Sequence, residues 1–156
     1  MASMIRSRRG TASGLRMQQL AEFRYTLRKF LQFSEEAASR AGLTSQQHQL
    51  LLQIAGAPDD TATTVGYIAE RLALRHHSVV ELSKRCEESG LIVRNVEQSE
   101  YRHVVLSLTP QGTRLLETLS DDHAHELYDL GSKLIGTLAP FTKRQSVSAA
   151  TGGGYK

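Results

Sequence analysis

The sequence predicts a mainly α-helical domain that carries one small β-hairpin. Apolar residues recur at helical spacing before residue 42 and again after residue 110, where they indicate long helices. Two short helical segments follow each other closely between Thr64 and Glu88. Two short β-patterned segments then flank a polar loop between residues 91 and 108. A chain of 156 residues can bury one core of ordinary size, so we expect a single domain.

The first two helices have recognisable ends. The apolar pattern predicts a helix over 15–40, which Gly42 ends. A second helix is expected to start at Thr44 or Ser45, where TSQQ fits a capping box, and to stop at Gly56. This helix contains no Lys, Arg, Asp or Glu, a composition that favours packing on several sides.

The next two segments predict a pair of short helices joined by a tight turn. Thr64 is the expected N-cap of the first, and the second runs from His76 or His77 to Glu88. Gly90 can close the second helix in a left-handed conformation at low steric cost. Its core face is expected to carry three apolar residues at spacings of three and four, namely Val79, Leu82 and Cys86. This order is typical of a helix-turn-helix, whose second helix enters the major groove of DNA.

A hairpin and further helices complete the predicted domain. LIVR reads as a strand, NVEQSE as a loop and YRHVVLSL as the returning strand. Thr109 is the expected N-cap of the next helix, with Pro110 at its first position. The leucines that follow, as far as Pro140, indicate either two helices or one bent helix. The complete order is that of a winged helix-turn-helix inside a helical frame.

The charged residues are separated along the chain rather than mixed. Lys and Arg number 19 against 16 Asp and Glu, and the net charge of +3 says little by itself about partners. Residues 1–30, however, contain seven basic residues and one acid, whereas residues 115–132 contain five acids and no Lys or Arg. A chain with such zones can turn one side toward a polyanion.

Signatures of secretion, membrane insertion and disulfide bonding are missing from the sequence. Cys86 is the single cysteine, which excludes an intramolecular disulfide. No segment approaches the ~20 apolar residues of a membrane span, and the basic start is not followed by the apolar run of a secretory signal. We therefore expect a cytoplasmic protein without a membrane partner.

The run IAERLALRHHSVVELSKRCEESGLIVR, followed by EYRHVVLSLTPQG, resembles the DNA-binding core of the multiple antibiotic resistance regulator (MarR) family. The matching features are Ser-Val in the recognition helix, Glu-x-x-Gly-Leu-Ile at its end, a wing, and Leu-Thr-x-x-Gly at the start of the next helix. The resemblance covers roughly residues 20–144. It implies a homodimeric transcriptional regulator, usually a repressor, that is often released from DNA by a small phenolic or lipophilic ligand.

The resemblance also implies a division of the chain. We expect a flexible basic tail over 1–14, the winged helix-turn-helix domain over 15–145 and a flexible tail over 146–156. Within the domain, 15–42 and 110–145 would be dimerisation helices, and 64–108 would be the DNA-binding lobe.

The predicted partner is double-stranded DNA with a near-palindromic operator. In the family wing an Asp-x-Arg arginine enters the minor groove, and Arg102 would take that role here, although Glu100 replaces the usual Asp. The adjacent histidines 76 and 77 diverge by about 100 degrees on a helix, so they cannot easily share a metal, whereas they can contact bases or phosphates. The expected DNA contacts are Arg75, His76, His77, Ser78, Glu81, Lys84, Arg94 and Arg102. Glu81 can accept from a cytosine amino group or simply hold Lys84 or Arg85.

A weaker expectation concerns a ligand-binding cleft between the dimer frame and the winged-helix lobe. Its candidate residues, which are more often core residues, are Phe23, Tyr25, Phe30, His48 and Tyr67. No cofactor is expected. The run DDHAHE offers Asp121, His123 and His125 as an alternative zinc site, against the simpler interpretation of a solvated acidic face.

Other classes of function compete less well. No nucleophile, base and orienting acid can be assembled from local signatures, so the sequence does not favour an enzyme. Cys86 lies on the predicted core stripe, where a thiol switch is not expected. Two alternatives remain: a zinc-responsive regulator, and a winged helix that contacts protein after losing DNA binding.

Overall fold

A computed structural model describes residues 11–98 and 102–142, with the backbone alone at residues 98 and 102. The chain divides into two compact units. One unit spans Phe30–Leu127, and the other combines the two outer segments, of which 12–29 and 128–142 are described. The predicted tail over 146–156 and most of the one over 1–14 lie outside the described residues.

Helix α1 spans Ala12–Arg40 and begins three residues earlier than predicted. Residues 12–14, expected in the flexible tail, are therefore helical. The reason is a cap that the apolar pattern did not indicate, because the Thr11 Oγ1 accepts a hydrogen bond from the Gly14 amide at 3.1 Å. At the other end, Gly42 has a φ of 79°, which turns the chain out of the helix as predicted.

Helix α2, Ser45–Ala55, confirms its predicted capping box. The Thr44 Oγ1 accepts from the Gln47 amide at 3.2 Å, and the Gln47 side chain accepts from the Thr44 amide at 2.9 Å. The buried residues of this uncharged helix are His48, Leu50, Leu51 and Ile54. Helix α2 is thus an inner element of the larger unit.

The predicted helix-turn-helix is present as α3, Val65–Leu72, and α4, His76–Glu88. The Thr64 Oγ1 caps α3 by accepting from the Tyr67 amide at 3.1 Å. Ala73 forms the turn between the helices with a φ of 52°, the only non-glycine residue with positive φ in the described part of the chain. The buried stripe of α4 contains Val79, Leu82 and Cys86, as the spacing predicted.

The hairpin consists of β1, Ile92–Gln98, and β2, Arg102–Leu108, in an antiparallel register from Ile92–Leu108 to Gln98–Arg102. Strand β1 is longer than the predicted LIVR, because residues 95–98 of the expected NVEQSE loop pair with β2. Cross-strand pairing, with Val96 opposite Val104, overrides the polar composition of this segment.

The base of the hairpin is also tied to the start of α3. Thr64 forms an isolated bridge with Val105, and the Leu106 amide donates to the Thr63 carbonyl at 2.9 Å. The Thr63 hydroxyl donates to the Leu106 carbonyl at 2.5 Å. The segment Thr63–Thr64 therefore lies beside β2, which lies beside β1. The sequence predicted only the two strands of the hairpin.

Helix α5 spans Pro110–Thr142 as one continuous helix. Pro140 lies inside it and does not end it, since a proline this close to the terminus removes only one late hydrogen bond. At the start, the Thr109 Oγ1 accepts from the Gly112 amide at 3.1 Å and its hydroxyl donates to the Gly90 carbonyl at 2.6 Å. One threonine thus caps α5 and fastens it to the end of α4.

The main hydrophobic core lies in the Phe30–Leu127 unit. It combines the buried faces of all helices with the inner face of the hairpin, and its fully buried apolar side chains include Leu50, Leu51, Ile68, Val79, Leu82, Ile92 and Leu106. Within the described ranges, no helix is both long enough and apolar enough to cross a membrane.

Candidate DNA-binding face and ligand cavity

The first turn of α4 presents a polar, positively charged surface. Arg75, His76 and His77 are exposed, and Ser78 is half-buried beside them. The packing of Val79 and Leu82 into the core fixes this orientation, since residues on the opposite side of the helix must face solvent. The structure thus brings four of the predicted DNA contacts together on one surface.

The N-terminus of α4 is also open to an anion. Arg75 is the N-cap residue and its side chain makes no capping hydrogen bond. The Ser78 amide donates to the Arg75 carbonyl at 3.0 Å, so the amides that a ligand could meet at this end are those of His76 and His77, and the helix dipole favours a negative group there. A phosphate placed there would meet both these amides and the Arg75 guanidinium.

Glu81 and Lys84 lie one turn further along α4 and bind each other. The Lys84 Nζ donates to the Glu81 Oε1 at 2.9 Å, with both side chains about half exposed. This hydrogen bond and the charge of Lys84 lower the pKa of Glu81. In the free protein Glu81 therefore holds Lys84, which was one of the two predicted roles. An exposed pair of this kind costs little to separate when a phosphate competes for the lysine.

Arg94 occupies a different position from the other predicted contacts. Its amide donates to the Glu87 Oε1 at 2.9 Å, and its guanidinium lies 3.9 Å from the Glu87 Oε2. Glu87 is about three turns from the N-terminus of α4. The Arg94 Nε is buried and has no hydrogen-bond partner within the described residues.

The predicted minor-groove arginine, Arg102, is the first residue of β2. Its backbone pairs with Gln98, which places it at the outer end of the hairpin. Its side chain and the whole of Glu100 lie outside the described residues, so the proposed pairing of these two side chains stays a prediction.

A cavity of about 380 Å³ opens in the Phe30–Leu127 unit between segments of α1, α2 and α5. Its wall is mainly apolar. The lining residues are Phe30, Leu31, Ser34, His48, Gln49, Leu52, Ser120, His123, Ala124 and Leu127. The volume falls within the range of small-molecule sites in proteins.

Two imidazoles and a hydroxyl form one polar cluster in the cavity wall. The His123 Nδ1 lies 2.5 Å from the Leu119 carbonyl oxygen, and its Nε2 lies 2.7 Å from the Ser34 Oγ. Since a carbonyl oxygen can only accept, the Nδ1 carries a proton; in the neutral ring the Nε2 then accepts from the Ser34 hydroxyl. Ring contacts with Phe30 and Phe33 further fix His123.

His48 faces His123 across this cluster, with 4.9 Å between the ring centroids. It is only 2% exposed, and its Nδ1 is buried without a hydrogen-bond partner in the described part of the chain. Burial, and secondarily the charge of His123, lower the pKa of His48. The ring is therefore neutral at pH 7 and retains an unused polar atom.

The structure unites only two of the five predicted ligand residues. Phe30 and His48 line the cavity, Tyr67 packs against the core outside it, and Phe23 and Tyr25 belong to the other unit. Among the residues that the prediction missed, Ser34 and Leu52 could have been found, because each lies four residues from a predicted one on the same helix.

The alternative zinc site is not assembled. His123 turns toward Ser34, whereas the His125 Nδ1 lies near the Asp121 carbonyl at 3.3 Å and both of those side chains are exposed. Across residues 11–98 and 102–142, no group of three or more His, Cys, Asp or Glu side chains is placed to hold a metal ion. His123 thus lines the cavity, with its Nε2 directed toward Ser34.

Cys86 occupies the core position that its spacing predicted. It is fully buried, and burial raises the pKa of its thiol to about 11. A protonated, inaccessible thiol is a poor nucleophile, which agrees with the predicted structural role.

The middle of the chain is similar to a known family of regulators. A MarR family model matches residues 41–100, which include α2, the helix-turn-helix and the whole of β1. The match covers 60 of the 156 residues and agrees with the resemblance seen in the sequence. A regulatory protein named for the hcr operon of Thauera aromatica is 28% identical over 134 residues, which cover 83% of this chain and 75% of that protein.

Solved structures agree with the MarR fold. MepR, named as a transcription regulator of the Staphylococcus aureus multidrug efflux pump MepA, matches with a TM-score of 0.62 and 23% identity over 85% of this chain and 94% of its own. The MarR family regulator AbsC from Streptomyces coelicolor gives a TM-score of 0.64 and 15% identity over 85% and 93% of the two chains. A MepR mutant bound to an oligodeoxyribonucleotide matches with a TM-score of 0.58 and 24% identity over 77% of this chain and 90% of its own. Because these sequence identities are below 25%, the similarities to solved structures show the fold alone. They confirm the predicted winged helix-turn-helix fold.

Proposed function

We propose that this chain is a transcriptional regulator of the MarR family that binds a specific DNA sequence as a homodimer. It acts in the cytoplasm as a repressor, and a small ligand releases it from DNA. The observation that carries the proposal is the open N-terminus of α4, where Arg75, His76 and His77 are exposed. The DNA-bound MepR mutant and the hcr operon regulator support it as relatives in fold or sequence.

We propose that a second copy of the chain packs against the apolar surface of the outer segments and buries it. The large apolar side chains that remain exposed there are Leu15, Met17, Leu20, Tyr25, Leu27, Tyr128, Ile135, Leu138 and Phe141. Clustered exposure on this scale is typical of an interface rather than of a monomer surface. In a two-fold dimer, two α4 helices about 34 Å apart would contact successive major grooves of a near-palindromic operator.

The proposed release mechanism uses the separation of the two DNA-binding lobes. A ligand in the cavity would contact α1, α2 and α5 together, and a wider or narrower lobe spacing would no longer fit both grooves. Only a few kcal/mol of differential affinity between the two arrangements are needed to shift such an equilibrium.

Fluorescence anisotropy on DNA from the protein's own promoter region, with a shuffled duplex as control, tests the proposal. We expect a clear promoter preference and a log affinity that falls by about 0.9 per log unit of salt for each phosphate neutralised. His77→Ala and Arg102→Ala should weaken binding. Arg114→Ala, on α5 outside the helix-turn-helix and hairpin, removes the same charge as Arg102→Ala and should have little effect.

Other outcomes would favour the alternatives. If the chain binds both duplexes equally and weakly, and neither His77→Ala nor Arg102→Ala changes the affinity, the result would point to a winged helix that contacts protein. A zinc-responsive regulator would bind its operator with a different affinity after a zinc chelator is added. In that case His123→Ala or His125→Ala should make the affinity insensitive to the chelator.

A further inference from the structure

A second, smaller pocket lies between the first turn of α3, the first turn of α4 and strand β2. Two histidines line it, His76 from α4 and His103 from β2, and Val65 and Gly66 line it from α3. Its volume of about 90 Å³ is far below the ~300 Å³ at which sites for drug-sized molecules begin, so its occupant must be a small group. We call it the histidine pocket.

The histidine pocket is suited to an anion. No Asp or Glu lines it within the described part of the chain. The Val65 and Gly66 amides have no acceptor among the described residues, since the Thr64 hydroxyl accepts from the Tyr67 amide instead. An imidazole donates through one ring nitrogen when it is neutral and through both when it is protonated. An oxyanion in the pocket would therefore meet donors from three elements.

Gly66 is a separate indication of a ligand. A Cβ at this residue would lie 3.8 Å from the Thr64 Oγ1, an ordinary contact, so packing within the described chain does not require glycine here. Glycine also destabilises a helix relative to alanine. A close approach of another molecule to the backbone of α3 gives a reason for the glycine.

A metal ion fits the same pocket less well. Two imidazoles alone provide half of the four ligands that zinc usually has. Glu97 stands opposite His103 in the hairpin but does not complete a ligand set, because no group of three His, Cys, Asp or Glu side chains is placed to hold a metal within the described ranges.

We propose that the histidine pocket binds a backbone phosphate of DNA, and that protonation of His76 and His103 strengthens this contact. Histidine is the side chain whose charge changes between pH 5 and 8, and a protonated imidazole forms a charge-assisted hydrogen bond with a phosphate. The bound phosphate in turn favours the protonated rings, so DNA binding takes up protons. This inference rests on the proposed DNA binding and adds to it a contact from the hairpin and a dependence on pH.

The other charged groups near the two histidines do not line the pocket. In the adjoining stretches of chain they are Arg75 and His77 on α4, Glu70 and Arg71 on α3, Glu97 on β1 and Arg102 on β2. Apart from His76 and His103, no titratable residue of the described chain lines the pocket. The charge inside the pocket should therefore change with pH through these two rings.

Anisotropy titrations of the full chain at pH 6.0 and 8.0, at constant ionic strength, test the dependence on protons. We expect the DNA affinity to be at least about fivefold higher at pH 6.0, the effect of one or two charge-assisted hydrogen bonds. The ratio should be the same on the promoter and the shuffled duplex, because a phosphate contact carries no sequence information. Equal affinities at the two pH values would overturn the proposal.

Variants of His103 identify the titrating group. His103→Gln cannot gain a charge and should reduce the ratio of the two affinities to about twofold or less. His103→Lys is charged at both pH values and should also reduce the ratio, but by raising the affinity at pH 8.0. His125→Gln, at an exposed histidine on α5, should keep the wild-type ratio. A wild-type ratio in His103→Gln would contradict the assigned contact.

Gly66→Ala tests the approach of the phosphate to α3 without changing a charge. It should raise the melting temperature through helix propensity and lower the DNA affinity at both pH values, because the methyl group takes space that the phosphate needs. An unchanged or higher affinity would show that no phosphate reaches this backbone.

Sulfate, whose charge is constant between pH 6.0 and 8.0, tests the pocket in the absence of DNA. Sulfate should shift the ring NMR signals of His76 and His103 together and saturably, with tighter binding at pH 6.0, and should leave those of His125 unchanged. If this result holds but the chain binds no DNA, the anion site stands and the regulator proposal fails. If DNA binds without a dependence on pH and sulfate shifts neither ring, the regulator proposal stands and this inference fails.

Discussion

Gly112 lies directly against the carbonyl group of Leu91, so close that a Cβ at residue 112 would stand 2.1 Å from the Leu91 oxygen. The same oxygen accepts a hydrogen bond from the Thr109 amide at 3.0 Å. The obstructing atoms are backbone and cannot rotate away. This contact gives a physical reason for glycine in the LTPQG motif, since only a residue without a side chain lets α5 begin at this distance from β1.

Gly112→Ala should therefore destabilise the protein by about 3 kcal/mol, the upper end of the usual cost of overpacking. Urea unfolding followed by circular dichroism measures the change. Gly131→Ala is the matched control, because it lies within α5 and a Cβ there meets nothing within 4 Å. It should stabilise the protein by about 0.5–1 kcal/mol through helix propensity. Equal effects of the two substitutions would contradict the steric explanation.

Ala73→Gly should increase the free energy of unfolding by about 0.5–1 kcal/mol. Ala73 adopts a φ of 52° in the turn of the helix-turn-helix, a left-handed conformation that costs an alanine about 1–2 kcal/mol. Glycine removes that cost but gains entropy in the unfolded chain, which offsets part of the benefit. Gly42→Ala, at a φ of 79°, is the reciprocal change and should lower the same quantity. A loss of stability in Ala73→Gly would show that the turn gains from the alanine side chain.

His48 should make the protein less stable in mild acid. Its pKa is lowered in the folded state by burial and by His123, which faces it from α5, while the unfolded value is about 6.5. The unfolded chain therefore binds the proton more readily, so this contribution is complete above about pH 6.5 and decreases as the pH falls below it. Urea midpoints at pH 7.5 and 5.5 should differ less in His48→Asn than in the wild type. His125→Asn should retain the wild-type difference, and an unchanged difference in His48→Asn would contradict the assignment.

Glu81→Gln should strengthen DNA binding without changing stability measurably. The exposed Glu81–Lys84 pair contributes little to folding, and the substitution frees Lys84 while removing a negative charge from the helix proposed to face DNA. Anisotropy titrations should show higher affinity for both the promoter and the shuffled duplex. A selective loss of promoter affinity would instead indicate that Glu81 reads a base, the other role considered for it.

The sequence predicted the elements well where one local signal determined them. The capping box at Thr44, the cap at Thr109, the stripe of Val79, Leu82 and Cys86 and the turn at Gly90 were all found from neighbours within a few residues. One error, the start of α1, came from a local cap at Thr11 that the apolar pattern did not indicate. The other arose where distant pairing decides. Residues 95–98 look like a polar loop in isolation and become a strand because β2 lies beside them.

The cavity was predicted less well than the exposed polar surface at the start of α4. The exposed residues at the start of α4 follow from the period of one helix, so their grouping could be inferred. The polar cluster requires Ser34, His48 and His123 from three helices, and the Ser34–His123 contact joins residues 89 positions apart. Nothing in the local sequence distinguishes His123 from His125, which is why both appeared as metal candidates.

The bridge between Thr64 and Val105 has a consequence for the proposed operator. Because the hairpin base is hydrogen-bonded to the start of α3, and the Leu91 and Arg94 amides donate to the Cys86 carbonyl and the Glu87 side chain of α4, we expect the hairpin and α4 to move together. The two contacts proposed for them in each half-site would then keep a constant separation. Inserting a base pair within a half-site should abolish recognition, whereas inserting one between the half-sites should be tolerated only as far as the two DNA-binding lobes of the proposed dimer can change their spacing.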